Sequence, residues 1–147
     1  MSNPVPYAMT HHVRDHCLCL AAQRAARTLA RRFDSALRPV GLTSGQFSLM
    51  MGLNRPTSAR MRDLVTLLAM DRTTLTAMLK PLERRSLIAS TIDADDRRNR
   101  FLTLTPAGVA ALAEALPIWQ TTHALIESTL PDQDGDMLRA GLRGLAA

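Results

Sequence analysis

The residues with the most distinctive chemistry lie in a short charged loop, residues 93–98. Three aspartates there, the last of them Asp96, lead into the adjacent arginines Arg97 and Arg98. A guanidinium group presents a planar fork of donors that fits phosphate oxygens and base edges. The loop therefore carries cations suited to a polyanion, although most runs of charged residues are simply solvated, and a solvated hairpin tip is the alternative.

Two segments of alternating apolar and polar residues flank this loop and predict a β-hairpin. Ile88, Ser90 and Ile92 should face one side on the first strand, and Leu102 and Leu104 on the second. Such a hairpin buries one face and presents the charged loop at its tip.

Two short amphipathic segments lie directly before the hairpin. The first follows helical spacing at Met61, Leu64, Val65 and Leu68, and the second does so at Leu75, Met78, Leu79 and Leu82. Residues 69–71 form the turn between them, and Asp71 can cap the second helix. A helix pair followed by a basic-tipped hairpin predicts a winged helix-turn-helix, in which the second helix enters a DNA major groove. The predicted fold class is therefore mainly α with a small β-hairpin wing.

The second helix of the pair carries side chains that suit DNA. Small hydroxyl residues near a helix start allow close approach to base edges and phosphates, although they could also be ordinary helix surface. The residues that we predict to contact DNA are Arg72, Thr73, Thr74, Thr76, Lys80 and Arg84 on the helix and Asp96, Arg97, Arg98 and Arg100 on the wing. Pro81 predicts a bend near residues 77–81, because proline removes one helical hydrogen bond.

The distribution of charge favours a nucleic-acid partner. The net charge is +5. Residues 1–100 hold 16 Lys or Arg and 8 acids, a net +8, whereas residues 101–147 hold 2 and 5, a net −3. The basic surface is thus concentrated where the helix pair lies. All but one of the 18 basic residues are arginine, which a high-GC genome would also explain.

The length and composition are those of an ordinary soluble globular protein with one domain. A chain of 147 residues with 46% hydrophobic and 21% charged residues can bury one core. No apolar run approaches the roughly 20 residues that span a bilayer, and no secretory signal is visible at the start. We therefore expect a cytoplasmic protein without a membrane partner.

Long helical segments flank the central region. Residues 10–37 read as one helix closed by Pro39 and Gly41, and Thr43 with Gln46 predicts a capping box for the next. After the hairpin, Pro106 opens a helix that Pro117 should kink and Pro131 should end, with a last helix from residue 132 to 147. The apolar seam of this helix repeats at steps of three and four residues, the spacing by which one helix packs along another.

These flanking helices carry more apolar surface than the small centre can cover, so they predict a dimer interface. The predicted interface residues are Leu18, Leu112, Leu116, Trp119, Ile126, Leu138 and Leu142. The alternative is that the seam packs within its own chain. The predicted organisation is an arm over residues 1–9 and a single domain over residues 10–147. In that domain the winged helix-turn-helix spans about 43–105, and the dimerisation helices span about 10–37 and 106–147.

Several motifs together resemble the MarR family of bacterial regulators. They are Gly41–Leu49, Asp71–Thr76, Leu79–Ile88 and Asp93–Arg98, followed by Leu104–Gly108, and they cover the chain from about residue 14. The resemblance implies a homodimeric winged-helix transcription factor on double-stranded, near-palindromic DNA. Such proteins are usually repressors released by a small molecule or by oxidation.

The resemblance also implies roles for wing residues. Asp96 and Arg98 match the family's Asp-x-Arg, so Arg98 would enter the minor groove, held by an acid such as Asp96 or Asp71. Apart from the resemblance, the guanidinium groups of Arg97 and Arg100 suit phosphate oxygens, so we expect these two residues to lie on phosphates. Ser86 departs from the family, where glycine is common at that position.

The resemblance places Cys19 where the organic-hydroperoxide-sensing branch has its reactive cysteine. That branch surrounds the thiolate with tyrosines, whereas Gln23 and Phe33 stand here, so a buried structural cysteine is the simpler interpretation and redox sensing the alternative. Cys17 and Cys19, two apart on one helix, should not bridge each other.

Other ligands are less strongly indicated. His12, His16 and Cys19 share one helix face at a spacing that zinc could use, but apart from Asp15 no further ligand is evident, so no metal site is predicted. An aromatic or amphipathic effector between the dimer helices and the DNA-binding domain could pair with Arg27, Arg31 or His123.

We predict no cofactor and no enzymatic activity. The sequence contains no glycine-rich phosphate loop, nucleophile motif or clustered acid pair. A winged-helix protein that has turned to protein–protein contacts is the remaining alternative.

Overall fold

A computed structural model describes residues 3–130 and 134–147, and these form seven α-helices and one small sheet. The helices are α1 (Tyr7–His16), α2 (Leu18–Leu37), α3 (Ser44–Leu53), α4 (Met61–Leu68), α5 (Arg72–Arg84), α6 (Pro106–Glu127) and α7 (Gly135–Ala146). The strands are β1 (Ala59–Arg60), β2 (Ile88–Ile92) and β3 (Arg100–Leu104). The order along the chain is that of a winged helix-turn-helix enclosed by longer helices, as predicted.

The N-terminal helix differs from its prediction in two ways. It begins at Tyr7 rather than near residue 10, and it breaks at Cys17, which has extended backbone angles (φ −76°, ψ 110°). The break has no proline or glycine signal. It is stabilised locally, because the Cys17 thiol accepts a hydrogen bond from the Leu20 N–H at 3.4 Å and so caps α2. Cys17 and Cys19 therefore do not lie on one helix, contrary to the prediction, and both thiols are unbridged.

The start of α3 is determined by local hydrogen bonds. The Thr43 hydroxyl accepts from the Gln46 N–H at 3.1 Å, and the Gln46 side chain accepts from the Thr43 N–H at 3.0 Å. The predicted capping box is thus confirmed. Asp34 on α2 accepts from the Ser44 N–H at 2.6 Å, so a carboxylate lies at the positive end of α3 and joins it to α2.

The sheet is antiparallel with strand order β1-β3-β2. The predicted hairpin forms with Ser90 opposite Leu102 and Ile88 opposite Leu104. Ile92 was predicted to face the core, but its side chain is 65% exposed, because it lies opposite Arg100 at the tip, beyond the helices that cover the rest of the sheet. Strand β1 was not predicted, since a two-residue strand carries no detectable alternation.

The core lies between α2, α3, α4, α5, the sheet and the first half of α6. Its fully buried large side chains are Leu37, Leu49, Met50, Leu64, Leu75, Leu79, Leu82 and Leu102. Leu112 belongs to this core with 5% exposure, so its assignment to a dimer interface was wrong. Trp119 also packs against its own chain, with its ring stacked 6.2 Å from Phe47.

Helix α6 ends where two side-chain hydroxyl groups bind the carbonyls of its last turn. Helix α6 continues through Pro117 but stops at Glu127, four residues before the predicted end at Pro131. The hydroxyls of Ser128 and Thr129 each donate to a carbonyl of the last turn at 2.7 Å, which competes with further helical hydrogen bonds. Pro131 and the predicted start of the last helix at residue 132 lie outside the described residues.

In the two described segments, no helix is both long and apolar enough to cross a bilayer.

Candidate nucleic-acid interface

The turn between α4 and α5 is compact and depends on Ala69 and Asp71. Ala69 ends α4 in the left-handed region (φ 49°), which reverses the chain within one residue. Asp71 then caps α5 by accepting from both the Thr74 N–H (2.8 Å) and the Thr74 hydroxyl (2.7 Å). The predicted cap is confirmed, and α5 therefore begins directly after the turn.

These hydrogen bonds act on the charged form of the carboxylate. The backbone N–H of Thr74 lowers the pKa of Asp71 most, and its hydroxyl lowers it further. Asp71 therefore stays ionised at the N-terminus of α5 throughout the neutral range.

Helix α5 divides into a buried face and an exposed face. Leu75, Leu79 and Leu82 anchor it in the core. The opposite face exposes residues predicted to contact DNA, namely Arg72, Thr73, Thr74, Lys80 and Arg84. A shallow recess of about 410 Å³ runs along this face, lined by Arg72, Thr73, Thr76, Ala77 and Lys80. The middle of the recess is lined by the small side chains of Thr73, Thr76 and Ala77, and the cations Arg72 and Lys80 lie at its ends.

The three threonines of α5 differ in the availability of their hydroxyls. The Thr74 hydroxyl is bound to Asp71, and the half-buried Thr76 donates its hydroxyl to the Arg72 carbonyl at 2.8 Å. Thr73 is exposed, and within residues 3–130 and 134–147 its hydroxyl forms no such hydrogen bond. Thr73 is therefore the threonine best placed to donate to a base edge.

The wing loop is shaped by its own aspartates. The Asp93 carboxylate accepts from the Asp95 N–H at 2.9 Å, and that of Asp96 accepts from the Arg98 N–H at 3.0 Å. The resemblance implied that Asp96 or Asp71 holds the Arg98 guanidinium, but both carboxylates bind other groups. Within the described residues the guanidinium groups of Arg97 and Arg98 pair with no carboxylate.

The start of α5 is tied directly to the wing tip. The Arg72 guanidinium donates from Nη2 to the carbonyl of Arg98 at 2.7 Å. This bond spans 26 residues of sequence and joins the helix to the wing. Arg72 was predicted as a DNA contact, and no sequence signal indicated this positioning role.

Arg100 is engaged at the far side of the wing. Its Nη2 lies 2.9 Å from Glu83 Oε1 on α5 and 2.5 Å from the Ser90 hydroxyl on β2. The predicted contact of Arg100 with phosphate is therefore not supported, because its charge is already balanced by Glu83. The pair instead holds the strands of the wing against the C-terminal half of α5.

The base of the wing is closed by a network around the Leu87 carbonyl. The Thr105 N–H donates to it at 3.1 Å, while the Thr105 hydroxyl accepts from the Gly108 N–H at 3.0 Å. A Cβ at Gly108 would lie 2.1 Å from the Leu87 oxygen, so only glycine permits this approach. Ser86 has a left-handed backbone (φ 56°), which explains physically why glycine suits that position.

An apolar cavity of about 450 Å³ lies behind the helix pair, between α3, the end of α4 and α6. Phe47, Met51, Leu67, Leu116 and Trp119 contribute to its walls. A second cavity of about 360 Å³ lies between α2, α6 and α7, and Arg32, His123 and Arg139 are among its lining residues. Of the three predicted effector partners, only His123 lines either of these cavities.

The cysteine and histidine cluster of the first helices does not assemble into a site. His12 and His16 stack with their ring centroids 4.2 Å apart, and His16 Nδ1 lies 2.8 Å from the His12 carbonyl. In the described part of the chain no three His, Cys, Asp or Glu side chains lie together as metal ligands would.

The expectation of a buried Cys19 was wrong, since its thiol is exposed and accepts from the Gln23 amide at 3.4 Å. Redox sensing by Cys19 stays a prediction.

Comparison with known proteins agrees with this geometry. The model of the MarR family matches residues 42–99, the segment from the start of α3 through the wing loop. The solved structure of the Mycobacterium tuberculosis transcriptional regulator MosR in complex with DNA is 34% identical. It covers 89% of this chain and 94% of its own, with a TM-score of 0.80. The transcriptional repressor CouR, bound to a 23-mer DNA duplex, is 32% identical over 92% of this chain and 96% of its own, with a TM-score of 0.78.

A curated relative gives a shorter match. The transcriptional activatory protein BadR of Rhodopseudomonas palustris is 33% identical over 88 residues, which is 58% of this chain and 50% of BadR. The match thus spans about half the length of that relative. The coverage by the solved structures is nearly complete in both directions, and on that basis the chain belongs to the MarR family.

Proposed function

We propose that this protein is a sequence-specific DNA-binding transcriptional regulator that acts in the cytoplasm as a homodimer on a near-palindromic operator. The observation that carries the proposal is the pairing of two elements on one side of the molecule. One element is the exposed face of α5, and the other is the wing tip with the Arg97 and Arg98 guanidinium groups. The hydrogen bond from Arg72 to the Arg98 carbonyl holds the two elements together.

The two elements are of the kinds that the grooves of duplex DNA accept. A major groove about 12 Å wide admits one α-helix, and the neighbouring minor groove admits a single arginine side chain. Helix α5 would place Thr73 at base edges and Lys80 and Arg84 at phosphates, while Arg98 enters the minor groove. MosR and CouR are both seen on DNA, which supports this assignment.

The flanking helices support a homodimer. They expose large apolar side chains that one subunit leaves uncovered, including Leu18 on α2, which is 67% exposed, and Leu138, Leu142 and Leu145 on α7. Several large apolar side chains exposed on the same flanking helices are consistent with an interface between subunits. A twofold dimer would present two α5 helices to half-sites about one helical turn, roughly 34–36 Å, apart.

We assign repression with release by a small-molecule effector as the mode of action. The apolar cavity behind α4 and α5 supports this assignment, because a ligand there lies against the helix that precedes the recognition helix. Its volume of about 450 Å³ falls within the range of small-molecule sites, roughly 300–1,000 Å³. CouR is described as a repressor and BadR as an activatory protein, so the sign of regulation needs its own measurement.

The proposal is tested by titrating the purified protein into a fluorescent duplex taken from the DNA upstream of its own gene. Binding should be stronger than to a shuffled duplex of the same composition, with two subunits per duplex. Affinity should fall steeply between about 50 and 200 mM salt, because phosphate contacts release counterions. A monomer by light scattering, or equal affinity for both duplexes, would contradict the proposal. A reporter gene behind the same DNA then distinguishes repression from activation.

A further inference from the structure

We propose that the cavity between α3, α4 and α6 selects an uncharged planar aromatic molecule and rejects the corresponding carboxylate anion. The inference rests on the proposed function in taking the cavity as the effector site. It concerns the charge of the ligand, which the proposed function leaves open.

The first observation is the composition of the walls. Its eight lining residues are apolar except for Ser48, whose hydroxyl is the one side-chain hydrogen-bonding group besides the Trp119 indole N–H. Among the residues that the structure describes, no arginine, lysine, histidine or acid lines it. The cavity is open on one side, where Leu67 is 58% exposed, so an ion against these walls would lose part of its hydration without gaining a partner of opposite charge. This partial desolvation disfavours anions and cations alike.

The second observation is the orientation of the helices. Met51 and Gly52 belong to the last turn of α3, and Leu67 and Leu68 are the last two residues of α4. Two helix C-termini therefore border the cavity, and the C-terminal end of a helix carries a partial negative charge. This field repels a carboxylate and favours a hydrogen-bond donor, such as an amide N–H or a hydroxyl.

The third observation concerns shape. Trp119 stacks on Phe47 at 6.2 Å with an angle of 17° between the rings, and on His123 at 4.8 Å with an angle of 21°. Phe47 and Trp119 also line the cavity, so two aromatic side chains border it. Planar aromatic molecules pack against aromatic side chains in offset-stacked or edge-to-face arrangements. Charged side chains line the second cavity instead, namely Arg32, Arg139 and the Glu127 carboxylate that pairs with Arg139.

The test uses a pair of probes that differ only in charge, 2-naphthamide and 2-naphthoate, at pH 7.5 and without DNA. Binding is measured by calorimetry and by the indole N–H resonance of Trp119, the single tryptophan of the chain. We expect the amide to bind at least about tenfold more tightly and to shift this resonance. Equal or tighter binding of naphthoate, or no binding of the amide up to its solubility limit, would overturn the proposal.

A charge-swap variant locates the effect. Leu67 lines the cavity on α4 with its side chain 58% exposed, so a longer polar residue can be placed there. Leu67→Arg should bring naphthoate binding to at least the level of the amide, whereas the uncharged Leu67→Gln should not. Thermal unfolding of both variants verifies the fold. Failure of Leu67→Arg to recruit naphthoate would exclude this cavity. Since no DNA is present, loss of DNA binding would not produce any of these results.

Discussion

Replacing Arg98 by alanine tests whether the wing contacts DNA through this side chain. In the structure, the Arg98 backbone groups make the contacts that hold the wing, whereas its guanidinium group makes none of them. The Arg98 N–H and carbonyl bind Asp96 and Arg72, and alanine keeps both groups. The guanidinium makes no intrachain ion pair in the described segments, so its removal should leave the wing intact and act on DNA binding alone.

The expected size follows from one lost contact per subunit. An arginine that reads a groove contributes about 1–3 kcal/mol, so a homodimer loses about 2–6 kcal/mol, a weakening of roughly 30-fold or more. Two lost charges should also reduce the slope of log K against log salt by about 1.8. Both quantities come from one anisotropy titration of an operator duplex at several salt concentrations.

Arg100→Gln is the matched control within the same wing. Its charge is balanced by Glu83 at 2.9 Å, so the salt slope should change far less than for Arg98→Ala, even if a loosened wing weakens affinity. Arg98→Ala affinity within about twofold of the parent protein, or equal salt slopes for the two variants, would refute the assignment.

Three further predictions concern the framework. Gly108→Ala should destabilise the fold by about 1–3 kcal/mol in urea unfolding, because its Cβ would lie 2.1 Å from the rigid Leu87 carbonyl; unchanged stability would contradict the close approach. Ser86→Gly should stabilise it by up to about 1 kcal/mol, because glycine relieves the left-handed backbone without losing a side-chain bond; a destabilised variant would show that the strain is absent. The lowered pKa of Asp71 means that its contribution to stability is present above the ordinary pKa, about 3.9, and is lost as pH falls through the lower folded value. The difference in thermal stability between the parent protein and Asp71→Asn should therefore vanish in acid, and a constant difference across pH would exclude the carboxylate as its cause.

Elements that depend on local signals were predictable. The two strands of the hairpin followed from alternation, the α3 capping box from Thr43 and Gln46, and the start of α5 from Asp71. Each of these depends on residues within a few positions of one another, which is the range over which backbone hydrogen bonds and side-chain periodicity are readable.

Features that depend on long-range approach were not predictable. Arg72 and Arg100 were both interpreted as DNA contacts because an arginine in a basic region suits phosphates. The structure shows that Arg72 binds a carbonyl 26 residues away and that Arg100 pairs with Glu83. The same limit applies to Leu112, since a heptad seam has the same spacing whether it packs on its own core or on a second subunit.

Helix α5 and the wing are joined at two separated points. These two contacts determine how the helix and the wing would move if a ligand displaced the end of α4. Arg72 at the start of α5 binds the wing tip, and Glu83 near its end pairs with Arg100 on β3. A rotation of α5 would therefore carry the wing with it. The end of α4, at Leu67, lines the apolar cavity and leads into α5 through a turn of three residues. We therefore expect a ligand that displaces Leu67 to tilt α5 and the wing together, which removes the match to both grooves without unfolding any element.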